Sequence, residues 1–137
     1  MTLEQFIDGL KQALNIQSLS PRKQGYSLLF DDTLAVDVIT ARGELILLSP
    51  VSQLADNDYQ KEQQLKQAMA WSLPWGQGNT CLAQQGNTVV VQTRASLQQD
   101  FEALKELLNS HCQYVEQLEQ LELQAVQQVY QDVFIRP

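Results

Sequence analysis

His111 is the single histidine of the chain, and an imidazole is the side chain best suited to act as a base or metal ligand near neutral pH. Either job needs a partner. Its chain neighbour is Cys112, but residues i and i+1 do not face the same way on a helix, and His111 falls in the middle of a long helical pattern. No Asp, Glu or other Cys stands at a spacing that builds a site with it. A satisfied or solvated helical histidine is the reading these positions support.

Paired carboxylates could do general acid–base work, and two pairs occur, Asp31-Asp32 and Asp56 with Asp58. Both stand where turns or helix caps belong, and Asp serves there by accepting from nearby backbone amides. Gly76-Gln77-Gly78 lacks the third glycine and the following helix of a phosphate cradle. No nucleophile elbow, zinc-binding His pair, phosphate-loop lysine or metal-ligand cluster is present. The chain is therefore expected to use no metal and no cofactor, and not to be an enzyme.

Trp71 and Trp75 bracket Leu73-Pro74 at the end of a helical stretch. One reading makes them ordinary core, because Trp is large and well buried on average. The other makes them a contact surface, where an apolar body meets a polar rim. An apolar helix face ending in two tryptophans would suit a self-complementary dimer seam.

The elements that would hold these residues fit one domain, residues 1–137, of ordinary globular composition. The formal net charge is −7. Basic residues are scattered singly apart from Arg22-Lys23, so nucleic acid and anionic membrane surfaces are not expected partners. Glutamine is frequent, especially after Gln98, and is spread through periodic segments as a solvated helical surface. Nothing in Met1 to Leu14 resembles a signal peptide and no apolar run suffices for a membrane span. Cys81 and Cys112 have no CxxC spacing and read as two buried or semi-buried cytosolic thiols. The cytoplasm is the expected address.

The first helix carries Leu3, Phe6, Ile7, Leu10 and Leu14 on one face, and Thr2 with Gln5 has the form of a capping box. Ser20-Pro21 and Gly25 mark the connection after it. Three strands are predicted next: Ser27 to Phe30, ended by a turn at Asp31-Asp32; Leu34 to Thr40; and Leu45 to Leu48 after a turn at Arg42-Gly43. Pro50 is expected to close the third. A second helix follows, capped by Asn57 and carrying Tyr59, Glu62, Leu65, Ala68 and Met69 on its repeating face. A hairpin around Gly86-Asn87 joins Thr80–Gln84 to Thr88–Thr93. Ser96, with Gln99 three later, is expected to cap a long last helix along Phe101, Leu104, Leu108, Val115 and Leu118. A break or bend is expected near Leu121, where the stripe shifts phase, with an extra helical extension over 121–137. The order α-β-β-β-α-β-β-α predicts an α+β fold, with helices packed on a twisted antiparallel sheet of about five strands.

This arrangement resembles the class I type III secretion chaperones for effector proteins. The features carrying the resemblance are the amphipathic first helix, Leu28-Leu29-Phe30-Asp31-Asp32, the strand pair closing at Ser49-Pro50, the Asp56-Asn57-Asp58 lead-in to the second helix, the Gly86-Asn87 hairpin and the acidic last helix. They cover the chain to about residue 120. The resemblance implies a cytoplasmic bacterial homodimer whose second helix and neighbouring strands form the interface, with Leu65, Met69, Trp71 and Trp75 as candidates. It implies that the dimer binds the N-terminal segment of a secreted effector in non-globular form and presents it to the export apparatus, with the secretion ATPase as a further partner. Mapped here, the effector-binding candidates are Leu3, Phe6, Ile7, Leu10, Leu28, Phe30 and Val36. Two alternatives stand beside this: an adaptor or regulatory binding module outside secretion, and a small enzyme with a pocket lined by Trp71, Trp75 and Asp58.

Overall fold

The computed structural model describes the backbone of residues 1–14, 16–22, 24–30, 34–75 and 80–135, and the side chains among these outside 68–75 and 120–135. Helix α1 (Leu3–Ala13) begins with the expected reciprocal cap. The Thr2 Oγ1 accepts from the Gln5 amide at 3.2 Å and the Gln5 Oε1 accepts from the Thr2 amide at 3.0 Å, which satisfies two otherwise free donors.

Six antiparallel strands follow among the described residues, in the spatial order β1-β2-β3-β4-β6-β5. They are β1 (Ser18–Arg22), β2 (Gly25–Leu29), β3 (Ala35–Ala41), β4 (Glu44–Gln53), β5 (Thr80–Gln85) and β6 (Thr88–Ser96). The strand beyond the predicted five is β1, which lies where Ser20-Pro21 suggests only a connection. Proline is tolerated there because β1 is an outer strand, paired on one side alone. Pro50 does not close β4 either. The strand runs on to Gln53 through a register shift between Pro50 and Ser52 opposite Val90 and Val89, and a bulge at this point absorbs the missing donor. The expected turns at Arg42-Gly43 and Gly86-Asn87 are present. Arg42 and Gly43 take φ of 54° and 77°, the left-handed pair that a tight hairpin turn needs. The Asp31-Asp32 turn lies outside the described residues.

Helix α2 (Asp58–Trp75) joins β4 to β5, and Asn57 caps it by accepting from the amides of Tyr59 and Gln60. Tyr59 stands in its first turn and is 70% exposed, so it does not belong to a buried face. Helix α3 (Phe101–Ile135) is capped by Asp100, whose Oδ1 accepts from Ala103 at 2.8 Å. Ser96 is instead the last residue of β6, where its hydroxyl accepts from Gln98 in a local turn. No break interrupts α3 near Leu121; residues 121–135 continue the same helix.

Helices α1 and α3 pack on one face of the sheet. Leu3, Phe6, Ile7 and Leu10 meet Leu28, Val36, Val38, Leu45, Leu47 and Ala95 from the strands, with Leu104 and Leu108 of α3 completing the cluster. Alternation along β3 and β4 places these strand residues on a common side. On the opposite face Ile46, Leu48 and Val90 form a smaller buried cluster. The two helices approach closely at Gly9. A Cβ built there would lie 2.5 Å from the Phe101 ring, so any larger residue requires that ring to shift.

Candidate functional site

His111 lies at the centre of the packed layer and is fully buried. It occupies the core stripe of α3, in step with Leu104, Leu108, Val115 and Leu118, and both ring nitrogens have partners. Nε2 is 2.8 Å from the Ser49 Oγ of β4, and Nδ1 is 2.8 Å from the Thr93 Oγ1 of β6. Thr93 is in turn 2.9 Å from the Thr80 Oγ1 of β5. Burial disfavours the charged imidazolium and lowers the pKa of His111 to about 4, so the ring is neutral at physiological pH.

A serine beside a histidine could serve nucleophilic catalysis. Here Ser49 is 1% exposed and His111 is 0% exposed, so a substrate carbonyl has no approach to the hydroxyl. No third acidic group orients the ring; its second nitrogen meets a threonine. The cluster therefore joins α3 to three strands, and the satisfied reading of His111 holds. Its place in the helical stripe is visible in the sequence. No local pattern marks Ser49 and Thr93 as its partners, because they stand 62 and 18 residues away along the chain. Among the described residues no group of three or more His, Cys, Asp or Glu could hold a metal ion. Cys81 is exposed rather than buried, being on outer strand β5, and Cys112 is half-buried.

The seven residues expected to face a guest separate into two groups. Leu3, Phe6, Ile7, Leu10, Leu28 and Val36 are buried in the core of the chain itself. Their apolar surface is already matched by α3 and the sheet, so a guest has no access to them while this packing stands. Phe30 is half-buried and is the one whose side chain retains exposed area suitable for a partner. Of the dimer candidates, Leu65 is half-buried on α2. The side chains of Met69, Trp71 and Trp75 lie outside the described residues. The alternative pocket of Trp71, Trp75 and Asp58 shares that position, except that Asp58 is an exposed residue of the first turn of α2.

Phe30 borders a cleft of about 430 Å³ assembled from residues far apart in the chain. Its apolar wall combines Leu14 from the end of α1, Phe30 and Leu34 flanking the β2–β3 junction, and Leu108 and Cys112 of α3. Lys105, Glu106, Asn109 and Glu116 of α3 supply its polar rim. A cleft with apolar walls and a few polar groups suits binding of a side chain or short segment. The outer strands β1 and β5 offer a second kind of surface, since each has a neighbour on one side only within the chain.

Among the described residues no helix is long and apolar enough to cross a membrane. No curated protein sequence matches the chain. Solved structures do share its fold. The ExsC–ExsE complex aligns with TM-score 0.64 and 18% identity, covering 87% of this chain and 91% of that chain. The HopA1–SchA chaperone–effector complex aligns with TM-score 0.63 and 15% identity, covering 85% and 92% respectively. YbjN from E. coli, proposed to be a transcription regulator, aligns with TM-score 0.63 and 15% identity over 91% and 90%. At such identities the likeness is one of fold. The sequence itself matches the profile of the Tir chaperone protein (CesT) family over residues 5–119.

Proposed function

The chain belongs to the Tir chaperone protein (CesT) family, a family of type III secretion chaperones, and we propose that it holds the N-terminal segment of one or more secreted effector proteins in non-globular form. The family match over residues 5–119 carries this reading. Keeping such a segment soluble requires only that its apolar side chains find a surface more favourable than water, and that its backbone find partners. The cleft beside Phe30 supplies the first. An outer strand supplies the second, because an extended guest can add to an unpaired sheet edge. Neither step needs catalysis, a cofactor or nucleotide, and the buried Ser49–His111 pair offers no substrate access. We therefore read the chain as a cytoplasmic binding protein without enzymatic activity of its own.

The active unit in this proposal is a homodimer joined through α2 and neighbouring strands, with Leu65, Met69, Trp71 and Trp75 at the seam. Delivery of the guest to the secretion ATPase follows as a further contact. The test is co-expression with N-terminal segments of candidate effectors, followed by light scattering on the purified complex and limited proteolysis. Two copies of this chain holding one protease-resistant guest segment is the expected result. A chain that purifies alone, or with a partner that remains fully globular, would overturn the proposal. Leu65→Asp tests the seam separately, and an unchanged dimer mass would remove α2 from it.

A further inference from the structure

The cleft beside Phe30 has a charge pattern that specifies its occupant more narrowly than an apolar surface alone. Glu106 and Glu116 are exposed on its rim, and none of the ion pairs among the described residues uses either of them. The cation on the same rim, Lys105, is already matched by Glu102 at 3.5 Å. The cleft thus presents, at the ends of an apolar wall, two carboxylates that have no ion-pair partner among the described residues. They are ten residues apart on α3, about 15 Å along the helix axis at 1.5 Å per residue. Leu108 and Cys112 lie between them.

An extended segment advances about 3.3 Å per residue, and its residues i, i+2 and i+4 point to one side. Such a triplet spans about 13 Å, and the flexible stems of Lys or Arg make up the remaining reach. Resting on the chaperone reading above, we infer that this cleft takes an extended effector segment of the form basic–x–apolar–x–basic. The central apolar side chain packs against the half-buried Leu14, Phe30 and Cys112, and the two cations meet Glu106 and Glu116. The net charge of −7 would add general attraction for such a segment.

The test uses the full chain, isotopically labelled, and three synthetic peptides differing only in the motif: Lys-x-Leu-x-Lys, Glu-x-Leu-x-Glu and Lys-x-Ser-x-Lys. Amide resonances of Leu14, Phe30, Leu34, Leu108 and Asn109 are followed as peptide is raised into the millimolar range. The first peptide should shift them together, the other two far less. Replacing Glu106→Gln with Glu116→Gln should weaken the first peptide by about three- to tenfold, from two partly exposed ion pairs, and should flatten its salt dependence. Both glutamates are exposed, so the double variant should keep its circular dichroism spectrum. Should that variant fail to fold, the three-peptide comparison on the unaltered chain still decides the matter.

Equal shifts by the acidic peptide, or no shift by any peptide, would overturn the inference. Cleft resonances that move with concentration of the chain alone would overturn it too, because a second copy would then occupy the cleft. Capture of an effector segment is measured in parallel. If capture succeeds while the peptide comparison fails, the cleft assignment falls and the chaperone reading stands. If the unaltered chain captures no effector segment, that reading falls and takes the inference with it.

Discussion

The Ser49 hydroxyl and the Nε2 of His111 meet at 2.8 Å across 62 residues of chain, inside a core where neither side chain touches solvent appreciably. The Thr93 hydroxyl takes the other ring nitrogen. A polar group sits at the centre of an apolar layer because all its hydrogen-bonding capacity is used within the protein, which offsets the cost of removing it from water. Stability should therefore depend on each member of this cluster.

The first expected consequence is a pH dependence. His111 has a folded pKa of about 4 against an unfolded value of 6.5. Between these values the unfolded chain binds more protons at this site, so stability falls as pH falls through that window. The shift corresponds to about 3 kcal/mol for this group once pH is below both values. Urea unfolding at a series of pH values should show the loss, and His111→Gln should remove this component from the profile. Parallel profiles for the two proteins would mean that the ring is not buried neutral.

Removing one partner should leave a ring nitrogen buried and unsatisfied. Ser49→Ala and Thr93→Val are each expected to cost about 1–3 kcal/mol by denaturant midpoint. In a double-mutant cycle with His111→Ala, the Ser49→Ala loss should shrink, since the nitrogen it orphans is then gone. Fully additive losses would deny the bond.

The opposite outcome is expected at Tyr114, whose hydroxyl is buried without a hydrogen-bond partner among the described residues. Burial, with Cys81 adding to it, also raises its pKa. Tyr114→Phe removes an unmatched polar atom while keeping the ring, and should raise stability by up to about 1 kcal/mol. A loss in thermal unfolding would show that the hydroxyl has a partner in solution.

Phe6 and Phe30 should separate core from guest surface. Phe6 is fully buried with its ring centroid 6.0 Å from that of Phe101, and Phe6→Ala should cost about 3–5 kcal/mol. Phe30→Asp, at a half-buried position on the cleft, should leave the fold standing and lower guest affinity. If Phe6→Ala abolishes guest binding with no change in melting temperature, α1 faces the guest after all.

Gly9→Ala tests the approach of α1 to α3. Alanine would favour the helix by about 1 kcal/mol on propensity, but its methyl collides with the Phe101 ring. Overpacking of this kind costs about 1–3 kcal/mol, so net destabilisation is expected. The same substitution combined with Phe101→Leu should be neutral or favourable, and calorimetry of the four proteins decides it.

Whatever is encoded within a turn or two of chain can be read from the residues alone. The Thr2–Gln5 cap, the apolar stripe of α1, the Arg42-Gly43 and Gly86-Asn87 turns and the order of most elements depend on nearest neighbours, so their residue types announce them. The family resemblance rests on the same order. Contacts between distant parts of the chain set the remainder. Pro21 lies in a strand because that strand is at an edge, and Pro50 lies within one because a bulge accommodates it. Asp100 displaces Ser96 as the cap because pairing with β4 extends β6 to Ser96. The stripe Leu3, Phe6, Ile7 and Leu10 shows which side of α1 leaves water, but not whether the chain or a guest covers it. Only the return of α3 across the sheet settles that, by closing the core over those four side chains and leaving Phe30 beside an open cleft. Helical period reports the direction of an apolar face; what meets it depends on contacts far apart in the chain.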